Sequence, residues 1–402
     1  MKRNQWTLAL AAAGVVSLGS IAQAEEAANQ VLTALSSTTL SGYIETSAIW
    51  KPGTGGGPLP GRVFDGADKV DNFNLHVINL KLEKPLDEGQ WSAGYKADLV
   101  FGPDANWFEG SILNGGAGAN ATLFDDFGIK QAYVSLRAPV GNGVDFKMGV
   151  FDTVIGYEVF ESGNNPNFSR SFGFLLEPRQ HTGVLASYHV NDMISFAAGI
   201  ADTARGAINE APSRDGITLA DESEKTYMAS VTITLPEAAG PLAGTALYAG
   251  VVDGLNGAFA GTNSKDTTSY YVGTTIATPL QGLSLGGAFD YREDGINTTT
   301  RGDNWAWAGA VYASYQATEK VKFNARGEWT KGSDGTYYNA GGFGSDQQNE
   351  LFALTGTLEY SLWSAVLTRA EVRWDHDLNG GKPFSIGDRN AVTLAANVIY
   401  KF

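Results

Sequence analysis

Apolar and polar residues alternate with a period of two along almost the whole chain, and this pattern constrains the fold more than any other feature. In segment 91–101 the apolar face carries Trp91 and Phe101, whereas the opposite face carries Lys96 and Asp98. Such alternation in segments of about 10 residues is typical of strands with one face in lipid and the other in water. Aromatic residues at the ends of the apolar face match the girdles of membrane barrels.

Sixteen segments show this alternation and are predicted to be strands. They lie at 40–50, 73–83, 90–101, 128–138, 143–151, 182–190, 192–202, 225–235, 243–252, 268–278, 282–292, 303–315, 320–330, 350–361, 363–374 and 390–402. The count is defined only to within about two strands. Segment 73–83 shifts phase near Asn79, and segment 243–252 alternates poorly.

The connections between these segments alternate in length. Those after odd-numbered strands are long and rich in Gly, Asn and Asp, whereas those after even-numbered strands are short, such as 190–192 and 317–319. Bacterial barrels have long extracellular loops and short periplasmic turns. We therefore expect an all-β fold, a transmembrane antiparallel up-and-down β-barrel, with both termini in the periplasm.

The predicted inward faces carry many charges. These residues are Lys96, Asp98, Lys147, Lys322, Arg326, Glu328, Arg369, Glu371 and Arg373. In a packed core each charge would cost on the order of several kcal/mol, but in water it costs little. Because sixteen strands enclose more space than side chains can fill, we expect a water-filled lumen.

The N-terminus has the three parts of a secretory signal. Lys2 and Arg3 precede an apolar stretch, and Ala22-Gln23-Ala24 forms a small-x-small cleavage site. The alternative is a retained anchor, which needs about 20 apolar residues. No later stretch approaches that length. The expected organisation is a cleaved signal peptide at 1–24, a periplasmic lead-in at 25–39 and a single barrel at 40–402.

The last predicted strand ends on an aromatic residue. Its apolar face carries Val392, Leu394, Ala396, Val398, Tyr400 and Phe402. Outer-membrane barrels typically end in this way, although chance could also place an aromatic at the end. We interpret Tyr400 and Phe402 as a membrane insertion signal read by the barrel insertion machinery. The expected surroundings are outer-membrane lipid and lipopolysaccharide of a Gram-negative bacterium.

Composition excludes several classes of chemistry. The chain has no Cys, so disulfides, thiol nucleophiles and zinc–cysteine sites are impossible. Without Lys2 and Arg3, the 28 basic residues become 26 against 43 acidic ones, a formal charge of −17. Such an acidic chain argues against nucleic acid as a partner.

Motifs for catalysis, cofactors and metals are weak. Asp65, Asp68 and Asp71 lack the spacing of a known calcium loop, and a solvated charge run explains them better. The four histidines are scattered without metal-ligand spacing. No Gly-x-Ser-x-Gly elbow is present. We expect no cofactor, no bound metal and no enzymatic activity.

The coil at 152–181 is the longest connection, and it carries aromatic and aliphatic residues that a disordered loop lacks. We expect it to fold into the lumen as a constriction loop that faces arginines on the opposite wall. A loop that only caps the outer mouth is the alternative. The predicted constriction consists of Tyr157, Glu158, Glu161, Arg170, Lys147, Arg326, Arg369 and Arg373. Opposed charges of this kind sort solutes by charge and size.

Several segments resemble the OmpL-like β-barrel porins. They are 131–136 (QAYVSL), 147–151 (KMGVF), Tyr157-Glu158, Ser169-Arg170-Ser171 and 181–184 (HTGV). The similarity is strongest over 127–190, and elsewhere only the barrel pattern carries it. The sixteen strands, the long loop after the fifth strand and the terminal Phe also look like the general porins. The resemblance implies a porin and, by analogy with general porins, a homotrimer, but it names no substrate.

The expected function is passive diffusion of small hydrophilic solutes and ions through a water-filled channel. A substrate-selective channel for sugars or anions stays open, because Tyr157 and Phe160 could line a path for sugars. A structural or adhesive barrel and an outer-membrane enzyme are the remaining alternatives.

Overall fold

Sixteen antiparallel strands form the barrel wall in the described part of the chain. The computed structural model describes residues 31–32, 37–53, 57–87, 89, 91–108, 126–210, 212, 224–256, 266–293, 304–338, 348–384 and 387–402. The strands are β1 (Thr39–Trp50), β2 (Asn72–Lys84), β3 (Ser92–Phe101), β4 (Phe127–Ala138), β5 (Val144–Asp152), β6 (Gln180–His189), β7 (Ile194–Ala201), β8 (Thr226–Thr234), β9 (Ala246–Leu255), β10 (Asp266–Ala277), β11 (Leu283–Glu293), β12 (Trp305–Gln316), β13 (Val321–Gly332), β14 (Asn349–Trp363), β15 (Val366–Asp377) and β16 (Asn390–Lys401).

The sheet closes on itself. Each strand pairs with the next along the chain, and β16 pairs with β1 from Leu394 opposite Trp50 to Lys401 opposite Tyr43. A two-residue strand, Val31–Leu32, pairs with the start of β1. The predicted strand count and the antiparallel barrel are confirmed, and every strand boundary lies within three residues of its prediction.

The two irregular segments have local causes. The pairing of β1 with β2 shifts between Glu45 and Thr46, so that His76 is an extra residue on β2. This bulge places both His76 and Val77 in the interior, which explains the broken alternation in that segment. β9 begins at Ala246, later than predicted, because a 3₁₀ helix at Glu237–Leu242 precedes it.

The faces of the barrel are inverted relative to a soluble protein. On β13, Phe323 and Trp329 are about half exposed, whereas Arg326 and Glu328 are buried. An apolar outer face is favourable in lipid, and charged inner positions are favourable beside water or ionic partners. None of the helices in the described part of the chain is long and apolar enough to cross a membrane.

The connections alternate in length as predicted, except that the one after β8 (235–245) is as long as the one after β9 (256–265). The connection after β5 enters the interior, and we call its residues 153–179 the inner loop. It contains the short helix α1 (Phe172–Leu176), whose first N–H groups are capped by Ser171 Oγ accepting from Phe174 N. Phe168 and Phe172 of the inner loop pack in an apolar cluster with Ile49 and Leu351.

Candidate pore constriction

The inner loop crosses the interior and contacts opposite sides of the barrel. On one side, the Glu161 carboxylate lies 3.2 Å from the Lys130 ammonium of β4. On the other side, the Asn167 amide donates a hydrogen bond of 2.7 Å to Thr357 of β14. These contacts hold the loop inside the barrel rather than above its mouth.

Arg326 of β13 is the centre of the contact between wall and loop. Its Nη1 lies 2.9 Å from Glu158 Oε1 and donates a hydrogen bond of 2.6 Å to the Ser169 carbonyl. Its Nη2 donates to the Arg170 carbonyl, and its Nε donates to Glu328. One guanidinium therefore satisfies a loop carboxylate, a wall carboxylate and two loop carbonyls.

Carboxylates on the wall accept the N–H groups of the inner loop. Glu371 of β15 accepts from the backbone of Phe168 at 2.7 Å and of Ser169 at 3.0 Å. Glu328 of β13 accepts from the backbone of Phe172 at 2.7 Å. Because hydrogen bonds to charged acceptors are stronger than neutral ones, these contacts fix the path of the loop.

Arg369 and Arg373 of β15 also donate hydrogen bonds to backbone carbonyls of the inner loop. Arg369 Nη1 donates to the Ser162 carbonyl at 2.8 Å, and Arg373 Nη1 donates to the Arg170 carbonyl at 2.6 Å. Both guanidinium groups are buried. The structure thus brings the predicted wall residues Arg326, Arg369 and Arg373 together, and each of them contacts the inner loop directly.

The acidic residues predicted to oppose these arginines separate into two places. Glu158 pairs with Arg326, whereas Glu161 points to the other side of the barrel, towards Lys130 and Lys81. Burial raises the pKa of Glu161, but the two lysines outweigh burial and lower its pKa to about 2. Glu161 is therefore ionised throughout the physiological range.

Arg170 and Tyr157 support the inner loop from within. Arg170 donates to the Phe168 carbonyl at 2.7 Å, and its guanidinium lies 5.2 Å from the centroid of the Phe64 ring. The Tyr157 ring stacks on Tyr312 of β12 with centroids 4.2 Å apart. Burial raises the pKa of the Tyr157 phenol, which stays protonated.

A cavity of about 1170 Å³, which includes space open to solvent, lies beside the inner loop. Its basic lining is formed by Lys81, Lys96, Lys130 and Arg179, and Trp107 lies beside Arg179 with a distance of 3.8 Å between guanidinium and ring centroid. The sequence-based prediction of the constriction did not include these residues. The inward alternation of Lys81 on β2 and the position of Lys130 next to the family-like segment 131–136 were the available signals.

Lys147, a predicted constriction residue, is on the inner face of β5. Its ammonium lies 4.9 Å from the centroid of the Tyr133 ring. Within the described residues, neither Lys147 nor Lys96 has a carboxylate oxygen within 4.0 Å, unlike Lys81 and Lys130. These two lysines therefore form no close ion pair among the described residues, although Glu83, Asp98 and Asp152 act on them at longer range.

A buried chain of hydrogen bonds joins Ser47, His76 and Asp104. Ser47 Oγ lies 2.6 Å from His76 Nε2, and His76 Nδ1 lies 3.1 Å from Asp104 Oδ2. Lys69 binds Asp104, and the Phe168 ring covers the imidazole edge-on. The spacing resembles a hydrolase relay, but the imidazole is only 1% exposed. These hydrogen bonds link the loops that follow β1 and β3 to Ser47 of β1.

Two of the three aspartates considered for calcium have other partners. Asp65 pairs with Arg62, and Asp71 accepts from the backbone of Lys51 at 3.2 Å. A group of His, Asp or Glu able to hold a metal ion does not occur in the described part of the chain.

The end of the chain closes the barrel seam. Phe402 and Gly42 exchange two backbone hydrogen bonds of 2.9 and 3.0 Å, and Tyr400 faces outward, about half exposed. The role of Tyr400 and Phe402 as an insertion signal stays a prediction. The predicted signal peptide at 1–24 and most of the lead-in at 25–39 lie outside the described residues.

A closed sixteen-stranded barrel with an apolar outer face and a charged interior defines an outer-membrane porin. The family model described as "Putative beta-barrel porin-2, OmpL-like" matches residues 37–402. The chain belongs to this family and is an outer-membrane porin of a Gram-negative-type bacterium. No curated protein matches it by sequence.

Solved structures of outer-membrane proteins share the fold. The outer membrane channel DcaP of Acinetobacter baumannii has 13% identity and a TM-score of 0.56, covering 92% of this chain and 99% of its own. The anion-selective porin from Comamonas acidovorans has 11% identity and a TM-score of 0.54, covering 91% and 99%. The trimer form of OmpT of Vibrio cholerae has 13% identity and a TM-score of 0.55, covering 91% and 99%.

Proposed function

We propose that the protein is a non-enzymatic pore for passive diffusion of small hydrophilic solutes and ions, with a preference for anions. Its constriction lies between the inner loop and a lysine wall, which consists of Lys81, Lys96, Lys130 and Lys147. The observation that carries the preference for anions is the absence of a carboxylate within 4.0 Å of Lys96 and Lys147 among the described residues.

The charges beside the free volume favour this conclusion. Glu158 is neutralised by Arg326, and burial together with Asp290 raises the pKa of Glu177 well above its ordinary value. Asp152 and Glu161 are the remaining acids of the cavity lining, and both pair with Lys130. The lining therefore carries more positive than negative charge.

The size of the effect is sufficient for selectivity. A unit charge acting on an ion 4 Å away is worth about 1 kcal/mol in water and about 4 kcal/mol near a protein surface. Since about 1.4 kcal/mol is a tenfold preference, one lysine without a close ion pair biases permeation several-fold. The acidic charge of the whole chain matters less here, because distant charges are screened beyond about 8 Å at physiological salt.

We also propose that the porin assembles as a homotrimer in lipid and lipopolysaccharide after removal of residues 1–24. The trimer form of OmpT of Vibrio cholerae, which shares the fold, supports this. The anion-selective porin from Comamonas acidovorans, which also shares the fold, supports the proposed ion preference. Unheated electrophoresis and native mass spectrometry measure the assembly, and a monomer by both methods contradicts it.

Planar bilayers test the pore itself. Purified barrels should give stable, stepwise conductance in KCl, and liposomes containing them should swell in isotonic solutions of small sugars and small organic anions. The anions should enter faster than sugars of equal size. Folded, inserted barrels that conduct no current would overturn the proposal, and the faster entry of organic cations would overturn the anion preference.

A further inference from the structure

Lys96, Tyr133 and Lys147 occupy adjacent strands on the inner wall. Lys96 of β3 is the cross-strand partner of Tyr133 of β4, and Ser135, two residues further along β4, is the partner of Lys147 of β5. Met148, the neighbour of Lys147, points outward and is 61% exposed. Because successive side chains of a strand point to opposite faces, Lys147 points into the barrel.

The positive charge of the two lysines is only partly compensated, because Glu83, the cross-strand partner of Lys96, and Asp152 act on them without forming a close ion pair. Lys96 is the charged group that acts most strongly on Lys147. The other two residues of the lysine wall differ, because Lys130 binds Asp152 and Glu161 and Lys81 lies 3.7 Å from Asp98. Like charges on one wall repel, and a ligand with two negative charges can meet both.

Tyr133 between them completes a site. Its ring holds the Lys147 ammonium at 4.9 Å, a cation–π contact that orients this flexible side chain. Its phenol makes no hydrogen bond to another residue in the described part of the chain, so that it can donate to an anion oxygen. The three side chains thus present two ammonium groups and one hydroxyl donor.

We propose that Lys96, Tyr133 and Lys147 form a binding site for doubly charged oxyanions on the path through the pore. This inference rests on the proposed function, since it takes the inner wall as the route of permeation. The shared chemistry is two negative charges carried on oxygen. Sulfate and hydrogen phosphate carry both charges on one compact group, whereas a dicarboxylate such as succinate carries them apart.

Current block in single trimers or monomers, whichever the protein forms, tests the site. In KCl at pH 6.5, sulfate should block the chloride current saturably, at a concentration at least about tenfold below that of nitrate, because a dianion meets both ammonium groups. Lys96→Gln and Lys147→Gln should each weaken sulfate block about tenfold. Tyr133→Phe keeps the ring under Lys147 and should weaken it about threefold. Lys320→Gln, which changes an exposed residue in the turn between β12 and β13, is the control and should leave sulfate block nearly unchanged.

The outcomes separate the two proposals. Succinate in place of sulfate distinguishes an extended dianion site from a compact one, and block by either supports the inference. Equal block by sulfate and nitrate overturns it, as does equal weakening by Lys320→Gln. In both of those cases a preference for chloride over potassium leaves the proposed pore intact, whereas a cation preference contradicts the proposed function as well.

Discussion

Arg326 on the barrel wall and Glu158 in the inner loop form an ion pair with 2.9 Å between Nη1 and Oε1, and their side chains are 0% and 1% exposed. This ion pair joins the inner loop directly to the barrel wall, so that the two side chains do not face each other across open water. Breaking such a pair by removing one partner leaves a buried charge and costs about 3–5 kcal/mol. Its function in our account is to hold the inner loop in place.

Arg326→Met should therefore release the inner loop from the wall. We expect single-channel conductance to become noisier and larger, and protease added to purified barrels to cut within 153–179. The double variant Arg326→Met with Glu158→Gln removes both charges and should recover part of the protease resistance. Wild-type conductance and wild-type protease resistance in Arg326→Met would show that the pair does not fix the loop.

The carboxyl of Glu177 gives the inner loop a pH dependence. Burial first, and then the Asp290 carboxyl, raises the pKa of Glu177 well above its ordinary value of 4.5. The folded loop therefore holds a proton that the unfolded chain loses above about pH 4.5. This contribution to stability is complete below that pH and is lost as the pH rises through the raised pKa.

Glu177→Gln keeps the shape and removes the titration. Current noise of the wild type should grow as the pH rises above the ordinary carboxyl pKa of 4.5 into the alkaline range, whereas the noise of Glu177→Gln should grow less. Glu161→Gln is the control, because the pKa of Glu161 is about 2 and its carboxyl therefore does not titrate at neutral or alkaline pH. Identical alkaline behaviour of wild type and Glu177→Gln contradicts the assigned role of Glu177.

A chemical probe of the hydrogen-bonded residues Ser47, His76 and Asp104 tests the proposal that the protein is not an enzyme. Since the imidazole is enclosed by Lys69 and Phe168, we expect no reaction of Ser47 with a fluorophosphonate probe. Ser47→Ala should keep wild-type conductance. Mass-spectrometric detection of a covalent adduct on Ser47 in folded barrels, lost in His76→Ala, would indicate an outer-membrane hydrolase instead.

The alternation of residues predicted the barrel because lipid and water act on every strand in the same local way. It placed Arg326, Arg369 and Arg373 on the inner face, where the structure has them. Periodicity cannot reveal which inner charges meet the loop and which meet free volume, because that depends on the path of residues 153–179 across the barrel. Lys81 and Lys130 were missed for this reason.

The bulge at His76 illustrates a second limit. One extra residue opposite Glu45 and Thr46 places His76 and Val77 on the same side of the sheet. In the sequence the bulge produces only a shift of phase, which does not show that His76 contacts Ser47 and Asp104. The chain of contacts among outer loops and wall is set by tertiary packing, which a single strand pattern does not contain.

The reversal potential in a KCl gradient tests the central claim most directly. The wild type should prefer chloride, and the combined variant Lys96→Gln, Lys147→Gln should lose most of that preference while it keeps stepwise conductance. Arg369→Gln, which changes a buried arginine that binds the inner loop, is the comparison. It should change the reversal potential much less in channels that stay folded. A chloride preference that survives loss of both lysines but disappears in Arg369→Gln would contradict the assignment of the lysine wall.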